Sequence, residues 1–162
     1  MTLRIVNLRD ARQFIPDIAD RIWHAFWRHD GHPRSAVVAA LDDVVAAPAF
    51  PFTLVALTDG TFAGTVTAIA SDLAERPELG PWIAALWVEP EQRGAGIARA
   101  LVDQANATMF AQGHAQIYLN AKPTMRSYYL GTGWTLMEAE SGKTSVDIFI
   151  RDVAAGAGTE PD

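Results

Sequence analysis

Residues 81–105 read PWIAALWVEPEQRGAGIARALVDQA. Residues 82–88 are too continuously apolar for a strand at a sheet edge, so they are placed centrally. A turn with little side-chain bulk follows, bearing Gly94 and Gly96. Ile97, Leu101, Ala105 and Met109 then recur at helical spacing, and Gly113 ends the helix. Such a strand, turn and helix leaves several backbone N–H groups unpaired and aimed at one spot. With the positive end of the helix dipole, they predict a site for a phosphate or pyrophosphate.

Outward from this segment, residues 2–7 alternate apolar and polar and predict a first strand. Residues 10–29 carry Phe14, Ile18, Ile22, Ala25 and Phe26 at helical spacing, and Gly31, His32 and Pro33 end that helix. Residues 34–47 predict a second helix, with Val37, Val38, Leu41, Val44 and Val45 on its face, stopping before Pro48. Residues 53–57 and 62–70 are β-rich, and Asp59-Gly60 between them is a hairpin signal. Residues 71–80 form a polar loop with Asp72, Glu75 and Glu78. Beyond the helix at 96–111, a strand is expected at 116–119, a short helix at 124–130, and a closing pair of strands at 134–137 and 145–151. The order predicts an α/β fold with a mixed sheet rather than a regular doubly wound one. One domain is expected over residues 1–153, followed by a loose tail at 154–162.

The 49% hydrophobic content and 20% charge fit a chain that buries a core, and 162 residues suit one domain. No run of about 18 uncharged apolar residues occurs, so no membrane association is expected. The first residues lack an apolar leader core, which predicts a cytoplasmic protein. The 162 residues contain no cysteine, which excludes disulfides, thiolate metal sites and a cysteine nucleophile among them. A formal charge of −6 argues against non-specific nucleic-acid binding and mildly favours a cationic ligand. Solubility alone is the stronger explanation of the same acidity.

Three phosphate signatures compete for the opening segment. A dinucleotide turn needs G-x-G-x-x-G, but Arg99 stands where the third glycine belongs. A nucleoside-triphosphate loop needs a glycine five residues before its Gly-Lys-Thr. The sole candidate, Gly142-Lys143-Thr144, has Met137 there and no helix behind it. What remains is R-x-x-G-x-A, with Arg93, Gly96 and Ala98 in its defined positions.

This pattern closely resembles the acetyl-coenzyme-A motif of the GNAT N-acetyltransferase family, in a bacterial branch. The stretch LWVEPEQRGAG at 86–96 and YYLGTGW at 128–134 match family patterns in the right order. The resemblance runs from about residue 55 to residue 150. It implies a single-domain fold with a central mixed, mostly antiparallel sheet flanked by helices, and acetyl-CoA as co-substrate without a metal. It also implies that Arg93, Gly94, Ala95, Gly96, Ile97 and Ala98 cradle the pyrophosphate. Pantetheine would pair with the backbone of Leu86 and Val88, flanking Trp87, where the strand splays from its neighbour. Val88 N–H would stabilise the developing oxyanion.

By the same resemblance Tyr129 is the general acid that protonates the leaving thiolate. The base is open among Asp72, Glu75 and Glu78, with Glu78 first because it lies nearest the strand. Related sequences often carry a pantetheine-binding asparagine seven residues before the tyrosine. Lys122 stands there, with Asn120 two residues earlier. The implied activity is direct acetyl transfer to a primary amine, with a small molecule preferred over a protein amine. The alternative is a non-catalytic acyl-CoA-binding module. A homodimer is left open. His24, His29 and His32 cluster near the first helix end, where the helix dipole explains them better than a metal. Tyr128 is expected in the core, and Glu89 and Glu91 in solvent.

Overall fold

Asp59 and Gly60 adopt φ values of 50° and 82°, the paired left-handed geometry of the two-residue turn that an Asp-Gly pair favours. The turn joins β2 (Phe52–Thr58) to β3 (Thr61–Ile69), with Thr58 opposite Thr61. β1 (Leu3–Asn7) pairs antiparallel on the other side of β2. The computed structural model describes residues 2–153; the tail expected at 154–162 lies outside the described residues. The chain forms two compact units, Met1–Ala68 with Ala85–Ala105, and Ile69–Ala84 with Asn106–Asp162. Strand β4 (Trp82–Val88) contributes to both.

In the first unit the strand order is β1-β2-β3-β4. Every residue of β2 is buried, as for a strand covered on both faces. Its core joins Leu8, Val55, Leu57 and Phe62 to Ile18 and Ile22 of α1 (Ile15–Ile22) and to Val37, Leu41 and Val45 of α2 (Arg34–Ala46). The helix expected over 10–29 is broken. Tight 3₁₀ turns at Leu8–Asp10 and Arg12–Phe14 precede α1, and a π-helical turn, Trp23–Trp27, follows it. Asn7 captures the Arg9 N–H at 2.9 Å. Pro16, which has no N–H and restricts the preceding backbone, holds the α-helix to a start at Ile15. At the other end Trp23 Nε1 donates to the His32 carbonyl at 2.6 Å, fixing the wide turn.

In the second unit the order is β4-β5-β7-β6, with β5 at Gln116–Ala121, β6 at Thr135–Ser141 and β7 at Val146–Asp152. β5–β7 and β6–β7 are antiparallel. Among the described residues, β4 meets β5 in parallel through one register pair, Trp82 opposite Tyr118. The sheet is therefore mixed and mostly antiparallel, as expected. β6 runs past the predicted end at 137 because it is an exposed edge strand; Glu138 and Glu140 supply no alternation to read. Helices α3 (Ile97–Ala111) and α4 (Arg126–Gly131) complete the fold. Among the described residues no helix is long and apolar enough to cross a membrane.

Candidate active site

The turn after β4 is built from the first unit. Glu89 N–H bonds the Ala63 carbonyl at 2.8 Å, and the tight turn Pro90–Gln92 closes through Gln92 N–H to the Glu89 carbonyl at 2.8 Å. Gly94 and Gly96 then sit at φ 86° and 81°, backbone that side chains rarely adopt. A Cβ at either would meet nothing within 4 Å, so open space lies against both. The helical ladder begins with Ala100 N–H on the Gly96 carbonyl at 3.0 Å. The N–H groups of Ile97, Ala98 and Arg99 thus have no acceptor inside α3. Left-handed glycines, open space and free donors at a helix N-terminus fit a pyrophosphate.

Arg93, expected to bind cofactor, braces the turn as well. Its Nε donates to the Val88 carbonyl at 2.9 Å, and its guanidinium lies 4.8 Å from the Trp87 ring centre. Trp87 Nε1 is buried without a hydrogen-bond partner among the described residues. Such orphan donors are rare in folded chains. Glu89 corrects the expectation of a solvated side chain. It is buried and accepts Arg21 Nε and a terminal guanidinium nitrogen at 2.9 and 2.8 Å. The Glu89 hydrogen bond and charge hold the Arg21 guanidinium above its ordinary range. Nothing local in the sequence announces a partner 68 positions away. Glu91 is exposed, as expected.

The second unit holds Tyr129. The residue is 9% exposed, with its ring centre 5.4 Å from that of Phe149. Burial, and then the charge of Tyr128, push its hydroxyl above the ordinary tyrosine value. It therefore keeps its proton at neutral pH, as an acid must. Tyr128, expected in the core, is instead 39% exposed: on a helix this short one face is buried, and Tyr129 takes it. Arg126, three residues before Tyr129, grips Asp147 of β7 through two nitrogens at 2.7 and 2.8 Å. The sequence reading missed that pair.

The three loop carboxylates differ. Glu78 is exposed and accepts Arg76 Nε at 2.9 Å. The Arg76 hydrogen bond holds its carboxyl below the usual range, which weakens it as a base. Arg76 also pairs with Glu138. Glu75 accepts Lys143 N–H at 3.4 Å. Asp72 accepts Asn120 Nδ2 at 2.6 Å. Asp72 is exposed, yet the atoms crowding its carboxyl raise it, with the Asn120 bond opposing. Lys122 is exposed. His24 lies 3.6 Å from Asp20, and the His32 ring packs on Trp27. Among the described residues no group of three or more His, Cys, Asp or Glu is arranged to hold a metal ion.

The glycine turn at the N-terminus of α3, behind a strand of a mixed sheet, has the form of a site for a phosphate-bearing cofactor. The family described as Acetyltransferase (GNAT) matches residues 12–131, and the chain belongs to that family. Membership brings acetyl-CoA binding and acetyl transfer as the general activity. Comparison with curated proteins finds no match. Among solved structures, a Staphylococcus aureus acetyltransferase of the GNAT family is 13% identical, with 94% of this chain and 99% of that chain covered and a TM-score of 0.69. Mutant forms of the spermidine/spermine N-acetyltransferase SpeG from Vibrio cholerae are 16% identical, with coverage of 98% and 100% and a TM-score of 0.70. A Streptococcus pneumoniae acetyltransferase of the GNAT family is 16% identical, with coverage of 94% and 100% and a TM-score of 0.67. At these identities the likeness is one of fold.

Proposed function

We propose that this protein transfers acetyl directly from acetyl-CoA to the primary amine of a small molecule. The observation that carries the reading is the pair of left-handed glycines, Gly94 and Gly96, opening onto the free N–H groups of α3. The backbone from Arg93 to Ala98 holds the pyrophosphate, and the strand segment Leu86, Trp87 and Val88 offers its backbone to pantetheine. Bound acetyl-CoA supplies an activated thioester. Val88 N–H would face the carbonyl oxygen as it gains charge, and Tyr129 gives its proton to the departing sulfur. The amine must arrive or become neutral, since an ammonium has no lone pair.

Two observations support a small cationic acceptor. The chain carries a formal charge of −6, which draws cations towards it. The Vibrio cholerae protein that shares its fold is named for spermidine and spermine. The reading extends to a cytoplasmic protein that needs neither nucleic acid nor membrane. An amine panel followed by free thiol release tests it. Turnover with polyamines or other small amines is the expected result. Binding of acetyl-CoA without turnover on any amine would make the protein a non-catalytic acyl-CoA module instead.

A further inference from the structure

We infer that the Arg93 side chain serves the reaction through its hydrogen bond to the Val88 carbonyl and not through its charge. It is a positioning residue that fixes the end of β4 against the glycine turn. The inference rests on the transferase reading above and gives one of its binding residues a different task. Every group it uses belongs to the first unit.

The peptide that joins Val88 to Glu89 is held from both edges of the strand. Its N–H donates to the Ala63 carbonyl of β3 at 2.8 Å, and its carbonyl accepts Arg93 Nε at 2.9 Å. In extended backbone the N–H and C=O of one residue face one edge, and those of the next residue face the other. Glu89 turns its N–H to β3, so Val88 turns both its N–H and its C=O to the opposite edge. The Trp87 carbonyl agrees with this, since a Cβ on Gly64 of β3 would lie 2.7 Å from it. Arg93 thus fastens the edge on which Val88 N–H stands, the donor proposed for the developing oxyanion. Glu89 is fixed through its side chain as well, by two Arg21 nitrogens at 2.9 and 2.8 Å. Val88 cannot swing its N–H without breaking one of these bonds.

The same bond closes a ring. The chain turns at Pro90–Gln92, with Gln92 N–H on the Glu89 carbonyl at 2.8 Å and Arg93 N–H on the Pro90 carbonyl at 3.3 Å. Arg93 Nε then reaches back to Val88. The end of β4 and the turn that bears Gly94 and Gly96 are therefore one rigid piece. That ring sets the distance between the phosphate end of the proposed cofactor site and its thioester end. A small misplacement of either end moves the reacting carbon out of reach.

The direction of the side chain separates this task from phosphate binding. The Arg93 guanidinium lies back along β4, 4.8 Å from the centre of the Trp87 ring, while the free N–H groups of α3 lie ahead of it in the chain. Stacking on the indole restrains the guanidinium plane, so Nε keeps its aim at the carbonyl. The bond uses Nε, the nitrogen nearest the backbone. A glutamine amide nitrogen stands as many bonds from Cα as Arg Nε does and can make the same bond. A lysine ammonium keeps the charge but stands one carbon further out, without the planar donor.

Three variants of the full chain separate bond from charge. Arg93→Lys keeps the charge, Arg93→Gln keeps the bond, and Arg93→Met keeps neither. In the thiol-release assay with the amine panel, Arg93→Lys and Arg93→Met should lower kcat about tenfold. Arg93→Gln should recover most of that loss. Calorimetric affinity for CoA should stay within about threefold of wild type in all three, because the backbone and not the guanidinium holds the phosphates. The opposite order, with Arg93→Lys active and Arg93→Gln weakened in CoA binding, would overturn the inference and make the side chain a phosphate ligand. A second measurement needs neither cofactor nor turnover. With ¹³C-labelled valine carbonyls, the Val88 resonance should move in Arg93→Lys and Arg93→Met and hold its place in Arg93→Gln. A resonance that ignores all three substitutions would overturn the inference by itself. That resonance pattern with no thiol release on any amine would sink the transferase reading, and the catalytic task with it.

Discussion

Arg126 and Asp147 form a two-pronged ion pair, at 2.7 and 2.8 Å, from a carboxylate with no solvent exposure. Asp147 also accepts the Glu140 N–H at 3.0 Å, so one side chain ties α4 to β6 and β7. Its cover is thin, since Arg126 itself is 34% exposed. Tyr129 lies one helical turn beyond Arg126 and shares its helix. We expect Arg126→Met to lower the Tm by several degrees and to reduce kcat more than KM for acetyl-CoA. The Arg126 hydrogen bond holds the Asp147 carboxyl below its ordinary range. The contribution is therefore full above the unfolded carboxylate value, near 3.9, and is lost as pH falls through the lower folded value. Thermal melts from pH 7 downward should show the wild type losing this increment only in strong acid. The difference in Tm between the two proteins should shrink there; a constant difference would refute the linkage.

Tyr129→Phe removes one hydroxyl and keeps the ring on Phe149. The expected loss is roughly 10²-fold in kcat, with CoA affinity unchanged by calorimetry. Because burial raises the Tyr129 hydroxyl above its ordinary value, its ionisation should not limit the rate below about pH 10. A descending limb near pH 8 that vanished in Tyr129→Phe would contradict that placement.

The glycine turn was legible because its chemistry is local. Small residues, a preceding apolar run and a following helical stripe all lie within one stretch of chain, and the backbone angles at Gly94 and Gly96 follow from them. The Asp59-Gly60 hairpin was legible for the same reason. What stayed hidden depends on distant partners. Glu89 reads as a solvated carboxylate until Arg21 is placed beside it. Glu78 reads as a free carboxylate until Arg76 is placed beside it. The motif singles out Tyr129, but only the packing on Phe149 shows that it, and not Tyr128, is the buried one of the pair.

Gly96 separates conformation from space. Its φ of 81° makes Gly96→Ala unfavourable by about 1–2 kcal/mol, although nothing lies within 4 Å of the added carbon. Gly96→Ala should therefore weaken CoA binding modestly. Gly96→Glu places a carboxylate among the N–H groups proposed to hold pyrophosphate and should abolish binding. Calorimetry with CoA reads both, and an undiminished affinity for Gly96→Glu would refute the phosphate site.

Gly64 poses the opposite problem, because its backbone is ordinary and its surroundings are not. A Cβ there would lie 2.7 Å from the Trp87 carbonyl oxygen, 3.2 Å from Leu101 and 3.3 Å from Val88. The first neighbour is backbone and cannot swing aside, so β3 or β4 must move. Forced overpacking of this kind costs about 1–3 kcal/mol. The displaced segment includes Trp87 and Val88, whose backbone we propose pairs with the cofactor. Gly64→Ala should thus lower the Tm and also raise KM for acetyl-CoA, with the Tyr129 acid untouched. Steady-state kinetics with a melt on the same sample would check both. A lowered Tm with an unchanged KM would mean that the strand accommodates the methyl away from the site.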